Sequence, residues 1–263
     1  MPVRKRFGQH FLHDPAVIDR IVAAVAARPG DRLVEIGPGA GALTPQLLSA
    51  AGHLDAVEID RDLAAALRTR HPEGSGLTLH EADVLTFDWA ALAAARGGRL
   101  RLVGNLPYNI STPLLFRLLA VRGLLQDMHF MLQKEVIDRI VAEPDTDDYG
   151  RLGVMLAPFV AATRLFDVGP GAFRPPPAVW SSVVRLVVIE SPPAWASLPQ
   201  YGAVVAAAFG QRRKTLRNAL RALLPAEAIA AAGVDPQARA ETLTPAQFGA
   251  LAQAAAGMIH LPA

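Results

Sequence analysis

The chain has 263 residues, 51% hydrophobic and 19% charged, long enough for one large domain plus a smaller one and too apolar for disorder. It contains no cysteine, which excludes disulfides, thiolate catalysis and cysteine-based zinc sites and is compatible with a reducing cytosol. The net charge is only +2 at a pI of about 9.3, so where the arginines stand, rather than their number, must say whether a polyanion is bound.

The opening MPVRKRFGQHFLHDP is basic but has no apolar segment behind its charges, so it does not read as a secretory signal. Apolar runs such as IVAAVAA and AVVAAAF are far too short to span a bilayer. The protein is expected to be soluble and cytoplasmic, with no membrane partner and no metal. Asp14-Pro15 predicts a helix start, with Val17, Ile18, Ile21, Val22 and Val25 at helical spacing until Arg28-Pro29-Gly30 stops it. DRLVEIGPG is a short strand running into a glycine turn, and ALTPQLLSAAG is the helix behind it. LDAVEID and RDLAAALRTRH repeat the pattern; GLTLHEADVL is a third strand ending at Asp83, and RLRLVGNLPY a fourth. TPLLFRLLAV is the next helix and DMHFMLQKEV a fifth strand. This alternation predicts an α/β fold with a doubly wound, mostly parallel sheet. The acidic loop EPDTDDYG reads as a solvated connection. FRPPPAVWSSVVRLVVIE adds a β-branched strand behind a proline-rich elbow, and SPPAWASLPQ reads as a linker. The expected division is an α/β domain over 1–193 and a small all-α domain over 194–263.

In VEIGPGAGALT, Gly37, Gly39 and Gly41 lie between a strand and a helix, where bare backbone can approach a ligand. Gly37-x-Gly39-x-x-Ala42 also satisfies the dinucleotide fingerprint. Glu58, ending the second strand, can accept from both ribose hydroxyls of an adenosine; Asp60 beside it reads as a surface acid. Asp83 can accept from an adenine amino group, or it can cap a helix. These residues specify an adenosine, with either a nicotinamide or a sulfonium attached.

The elbow NLPY, from Asn105 to Tyr108, separates the two. It offers no hydride-transfer base, but it suits the methylation of an aromatic amine. The lone pair of adenine N6 is delocalised into the ring, so the amine is a poor nucleophile. The Asn105 side-chain oxygen and the Leu106 carbonyl, aimed by Pro107, can hold its hydrogens and turn the lone pair toward a methyl donor. Tyr108 can stack on the base and fix its plane. An ordinary strand-ending turn would use the same residue types.

KRFGQHFL, VEIGPGAGALT, VEID, NLPYNIS, MLQKEV, YGRLGVM, FRPPPAVWSSVVRL and FGQRRKTLRN resemble, in order, the blocks of the KsgA/RsmA family of ribosomal RNA adenine dimethyltransferases. The resemblance covers nearly the whole chain. It implies a Rossmann-like class I methyltransferase fold and S-adenosylmethionine as cofactor. The substrate it implies is two adjacent adenosines near the 3′ end of 16S rRNA, within an immature small ribosomal subunit, each dimethylated by a monomer that takes part in subunit biogenesis. It assigns Gln9, His10, Leu12, Gly37, Gly39, Glu58, Asp83 and Asn105 to the cofactor. Phe173 matches an aromatic that closes over the target base opposite Tyr108, core filling being the other reading. Two alternative readings of the chain stand beside this one: a large-subunit, macrolide-resistance type of rRNA adenine methyltransferase, as found among the family's relatives, and an assembly factor whose binding outweighs its catalysis. The chain departs from the family pattern at His10, often asparagine, and at Ala178 and Trp180, which replace residues that are often charged.

In AFGQRRKTLRNALRALL a helix is predicted, with Phe209, Leu216, Leu220 and Leu224 on one face. Arg213, Arg217 and Arg221 run beside it, with Arg212 and Lys214 adjacent. Arg212, Arg213, Lys214 and Arg217 are expected to follow an RNA backbone, with the RKR of positions 4–6 as a second basic group; a solvated arginine face is the alternative.

Overall fold

A computed structural model describes residues 10–211 and 213–259. The two-residue strand β1 (Phe11–Leu12) precedes α1 (Pro15–Val25), whose first turn is closed by the Asp14 carboxylate accepting from the Ala16 and Val17 N–H groups. There follow β2 (Leu33–Ile36), α2 (Thr44–Ala51), β3 (Leu54–Glu58), α3 (Arg61–Arg70), β4 (Leu77–Glu81), α4 (Trp89–Arg96), β5 (Leu100–Asn105), α5 (Ser111–Ala120) and β6 (Leu125–Gln133). The chain continues with α6 (Lys134–Val141), α7 (Arg151–Leu156), β7 (Val160–Val168), β8 (Phe173–Arg174) and β9 (Ser181–Val188). It ends with α8 (Pro199–Gly210), α9 (Leu216–Ala219), α10 (Ala226–Ala231) and α11 (Pro245–Ile259).

The main sheet has the order β4-β3-β2-β5-β6-β9-β7. Its first five strands are parallel, and β9 runs antiparallel to β6. Parallel neighbours need crossovers, which the intervening helices supply. Every residue of β2 and β3 is buried, as strands covered on both faces must be. The direction of winding reverses between β2 and β5, and a crevice opens there at the C-terminal strand ends. The two strands approach closely: a Cβ on Gly104 would stand 2.5 Å from the Ile36 carbonyl oxygen, so glycine alone fits.

The chain forms two compact units, one of residues 1–137 and 163–188, the other of 138–162 and 189–263. The second differs from the expected division at 193/194 because it also takes in an earlier segment. Its apolar core gathers Tyr149 and Val154 with Tyr201, Leu216, Leu220, Leu224 and Phe248. Within it the Tyr149 hydroxyl donates to the Leu243 carbonyl at 2.6 Å and the Tyr201 hydroxyl to the Val154 carbonyl at 2.7 Å.

Three other expectations change. The strand predicted over 127–136 ends at Gln133; beyond it Val136, Ile137 and Ile140 are buried at helical spacing, on α6. Asp60 is not a surface acid: it is 4% exposed and caps α3 by accepting from the Asp62 and Leu63 N–H groups. The continuous helix predicted over 208–224 is broken. α8 stops at Gly210, a turn follows, and α9 has only four residues. The Leu216 and Arg217 N–H groups bond to the Ala238 and Pro236 carbonyls, so a facing loop, not a preceding helical turn, satisfies them. Leu216, Leu220 and Leu224 are buried as expected, and Arg213, Lys214, Arg217 and Arg221 are exposed, but on a bent segment rather than one helical stripe. Among the described residues, no helix is long and apolar enough to cross a membrane.

Candidate active site

At the reversal point lies a cavity of about 310 Å³, walled by β1, the turn after β2, the end of β3, the loop after β4 and the elbow after β5. Gly37 and Gly39 form the turn with φ of 63° and 57°, a left-handed conformation that side chains disfavour. A Cβ on Gly37 would stand in open space, while one on Gly39 would come within 3.3 Å of the Phe11 ring. The glycine N–H groups are occupied: Gly37 donates to the Val57 carbonyl, Gly39 to Glu58 Oε2 at 3.0 Å, and Gly41 to the Pro38 carbonyl. A pyrophosphate needs such donors free, and it would also meet the Glu58 carboxylate held against them. The turn therefore does not suit a dinucleotide, although its glycine spacing allows one.

Glu58 is 5% exposed. Burial pushes its carboxyl above the ordinary glutamate range, and hydrogen bonds from the Asp60 and Gly39 N–H groups pull the other way. Both carboxylate oxygens are thus held by backbone donors on one side, Gly39 on Oε2 and Asp60 on Oε1, and the group lines the cavity as an acceptor of the kind a vicinal diol requires. Asp83 lies just past β4 on the cavity wall, with Oδ1 accepting from the Leu85 N–H. It does not cap a helix, because Asp88 caps α4.

The elbow is tied down on each side. The Asn105 Nδ2 donates to the His10 carbonyl at 3.1 Å, which leaves Oδ1 as the amide's acceptor in the cavity wall. The Leu106 N–H donates to Met131, so its carbonyl is set by β6. The Tyr108 hydroxyl lies 2.8 Å from Ser181 Oγ, and burial raises its pKa above the usual phenol value. The His10 ring stacks on Tyr108 at 5.8 Å between centroids, and its Nδ1 lies 2.8 Å from the Pro175 carbonyl.

The cavity therefore brings together His10, Leu12, Gly37, Gly39, Glu58, Asp83, Asn105, Leu106 and Tyr108 from the sequence expectations. Gln9 and Arg212 lie outside the described residues, as does the basic group at positions 4–6. Phe173 is placed elsewhere: it is 2% exposed, pairs with Leu12 across β1 and β8, and packs with Val25, Leu47 and Met131 in the core. In this structure Phe173 thus sits among core side chains and not on the cavity wall.

Two wall residues were not anticipated. Glu35 sits inside the apolar run LVEI, 2% exposed. Burial lifts its carboxyl to about 7; the Thr44 hydroxyl, donating at 2.7 Å, lowers it, and nearby Glu58 raises it further. Ile59 is 50% exposed beside the buried Glu58 and offers an apolar face to a planar ring. An isoleucine between two acids past a strand end was the available signal for it.

The residues present fit S-adenosylmethionine: a diol acceptor, an acceptor at the next strand end, apolar contacts for a purine and no phosphate cradle. Sheet order, reversal point and cavity define a Rossmann-like class I methyltransferase. A family model described as ribosomal RNA adenine dimethylase matches residues 2–256, and the chain belongs to that family of rRNA methyltransferases. A protein named ribosomal RNA small subunit methyltransferase A from Methylococcus capsulatus is 56% identical over 250 residues, covering 95% of this chain and 96% of the relative. The protein of the same name from Acinetobacter baylyi is 55% identical, covering 94% and 90%. Two crystal structures share the fold. A dimethyladenosine transferase from Plasmodium falciparum has a TM-score of 0.79 at 25% identity, covering 92% of this chain and 96% of that one. The 23S rRNA methyltransferase ErmE has a TM-score of 0.71 at 27% identity, covering 93% and 98%.

Proposed function

We propose that this protein transfers methyl groups from S-adenosylmethionine to N6 of two adjacent adenosines near the 3′ end of 16S rRNA, dimethylating each, in the cytoplasm and as a monomer acting on an immature small subunit. The observation that carries the reading is the Asn105 amide. Its nitrogen is engaged by the His10 carbonyl, so its oxygen faces the task of accepting.

When bound, S-adenosylmethionine supplies an electrophilic methyl group on a sulfonium. Glu58 would hold the ribose diol and Asp83 the adenine amino group, with Ile59 against the purine face. The target base, unstacked from its strand, would rest on Tyr108, whose ring plane is fixed by the hydroxyl contact with Ser181. Asn105 Oδ1 and the Leu106 carbonyl would accept the two amino hydrogens, rotating the lone pair out of conjugation and toward the methyl carbon. As nitrogen gains carbon its remaining protons become acidic, so one can leave to water without a strong base. A dimethylated product needs the elbow to tolerate a methyl where a hydrogen was.

The relatives named for the small subunit are over half identical to this chain, while the 23S enzyme matches at 27%. That ranking supports the small-subunit substrate. The test is mass mapping of adenines after incubation with labelled cofactor. Small-subunit particles should gain dimethyladenosine at two neighbouring positions; modification of protein-free large-subunit RNA alone would overturn the reading. Reversing charge at Arg213 and Arg217 separates catalysis from assembly. Lost subunit affinity with free-RNA methylation intact would make binding the main role, and unchanged affinity would remove the basic segment from the RNA contact.

A further inference from the structure

The proline-rich stretch between β8 and β9, outside the cavity lining itself, is a rim tied at both ends to residues of that lining. At one end the Pro175 carbonyl lies 2.8 Å from His10 Nδ1, and His10 stacks on Tyr108. At the other, Ser181 Oγ meets the Tyr108 hydroxyl at 2.8 Å. A third tie is the Trp180 carbonyl, which accepts from the Lys134 N–H at 2.9 Å. Three consecutive prolines, 175 to 177, stiffen the span between these ties. On this fixed rim Ala178, Val179 and Trp180 are exposed, Trp180 at 56% and Val179 at 42%.

An indole left this open is unusual for a side chain with so much apolar surface. It is nonetheless seated. Gly169 lies beside it, where even an added Cβ would sit 3.6 Å from the ring carbon Cη2, in van der Waals contact. Gly169 thus lies near the outer edge of the six-membered ring, and more than half of the Trp180 surface stays open to solvent. Exposed Arg174 stands at the start of the same rim.

Building on the proposed reaction, we infer that Trp180 is a stacking platform for the RNA nucleotide next to the adenosine in the cavity, a positioning residue for the strand rather than for the reacting amine. A base drawn into the cavity leaves its neighbour unstacked, and that neighbour loses its stacking energy unless the protein replaces it. Aromatic faces do so with little regard to sequence, and a rim stiffened by proline loses little entropy on contact. Exposed Arg174 on the same stretch offers a cation to the strand's phosphates.

The test compares Trp180→Ala and Trp180→Phe in the full chain. With a single-stranded oligoribonucleotide carrying two adjacent adenosines, Trp180→Ala should raise KM for RNA about tenfold. The kcat and the affinity for S-adenosylmethionine should stay unchanged, and Trp180→Phe should recover most of the loss. The oligonucleotide should also quench tryptophan emission in the unsubstituted protein. The other tryptophans, Trp89 buried and Trp195 half-buried, should leave Trp180→Phe without that quench. Unchanged KM and quenching in Trp180→Ala would overturn the inference while leaving methylation itself intact. A defect confined to assembled subunits, absent with free RNA, would also overturn it and assign the indole to a protein contact. Failure of the unsubstituted protein to methylate any RNA would instead strike the proposed function.

Discussion

The two ends of the parallel strands treat buried carboxylates in opposite ways. At the N-terminal ends every buried acid has a cation. Asp55, 1% exposed, receives Arg96 through two bonds of 2.7 Å and His80 at 2.8 Å. Burial alone would raise its pKa, yet those partners hold it down at about 2. Asp127 is likewise gripped by Arg101, which also reaches Asp31 and the Val25 carbonyl. At the C-terminal ends Glu35 and Glu58 are as deeply buried but are met only by a hydroxyl and by backbone N–H groups, and both carboxyls are raised. One edge spends its charges on cohesion; the other keeps acceptor capacity unspent for a ligand.

The sharpest way to break that contrast is Asn105→Ala. Methyl transfer should fall by about 10² to 10³-fold, the range for removing a preorganised polar contact to the reacting centre, while cofactor binding weakens but persists. Labelled-methyl incorporation and calorimetric titration would measure the two; full turnover would remove Asn105 from the chemistry. At the opposite edge, Asp127→Ala leaves Arg101 buried with one of its two acids missing. A loss of about 3 kcal/mol in urea unfolding is expected, with kcat and KM of the remaining folded enzyme unaltered. A kinetic defect there would mean that the two edges are not separate.

The smallest effect concerns pH. Glu35 holds a proton in the native chain that the unfolded chain has released between about pH 4.5 and 7, so its contribution to stability falls as pH rises through that window. Glu35→Gln keeps an acceptor for Thr44 and should gain about 1–3 kcal/mol on the parent at pH 8, with little difference at pH 4. Asp55 runs the other way, because its native pKa is depressed. Its stabilisation is complete above the unfolded value near 4 and is lost as pH falls toward 2. Thermal melts of parent and variant across pH 2–8 would show both limbs; parallel curves would remove Glu35 as a proton holder.

Where the signal was local, the sequence was legible. Alternating strands and helices, the glycine turn and the proline-anchored elbow each depend on neighbours a few residues apart, and the cavity gathers nearly all the residues they suggested. What escaped depends on partners far along the chain. Phe11–Leu12 becomes a strand only because it meets Phe173–Arg174, and that same pairing draws Phe173 into the core. Glu35 hides in an apolar run because its neighbours, not its spacing, make it unusual. The basic stripe failed for a related reason. Leucines four apart mark burial, but the hydrogen bonds from Leu216 and Arg217 to a distant loop decide that the backbone bends.

The second compact unit closes only when residues 138–162 meet the chain from 189 onward. During synthesis, the Tyr149 hydroxyl therefore cannot exchange water for its native acceptor until Leu243 has left the ribosome. A chain halted at residue 193 would leave the Tyr149 and Val154 side chains without their apolar company, making it prone to self-association. The C-terminal helices released alone would lack the same two plugs. Halves that look separable along the primary structure are, as folding objects, interdependent.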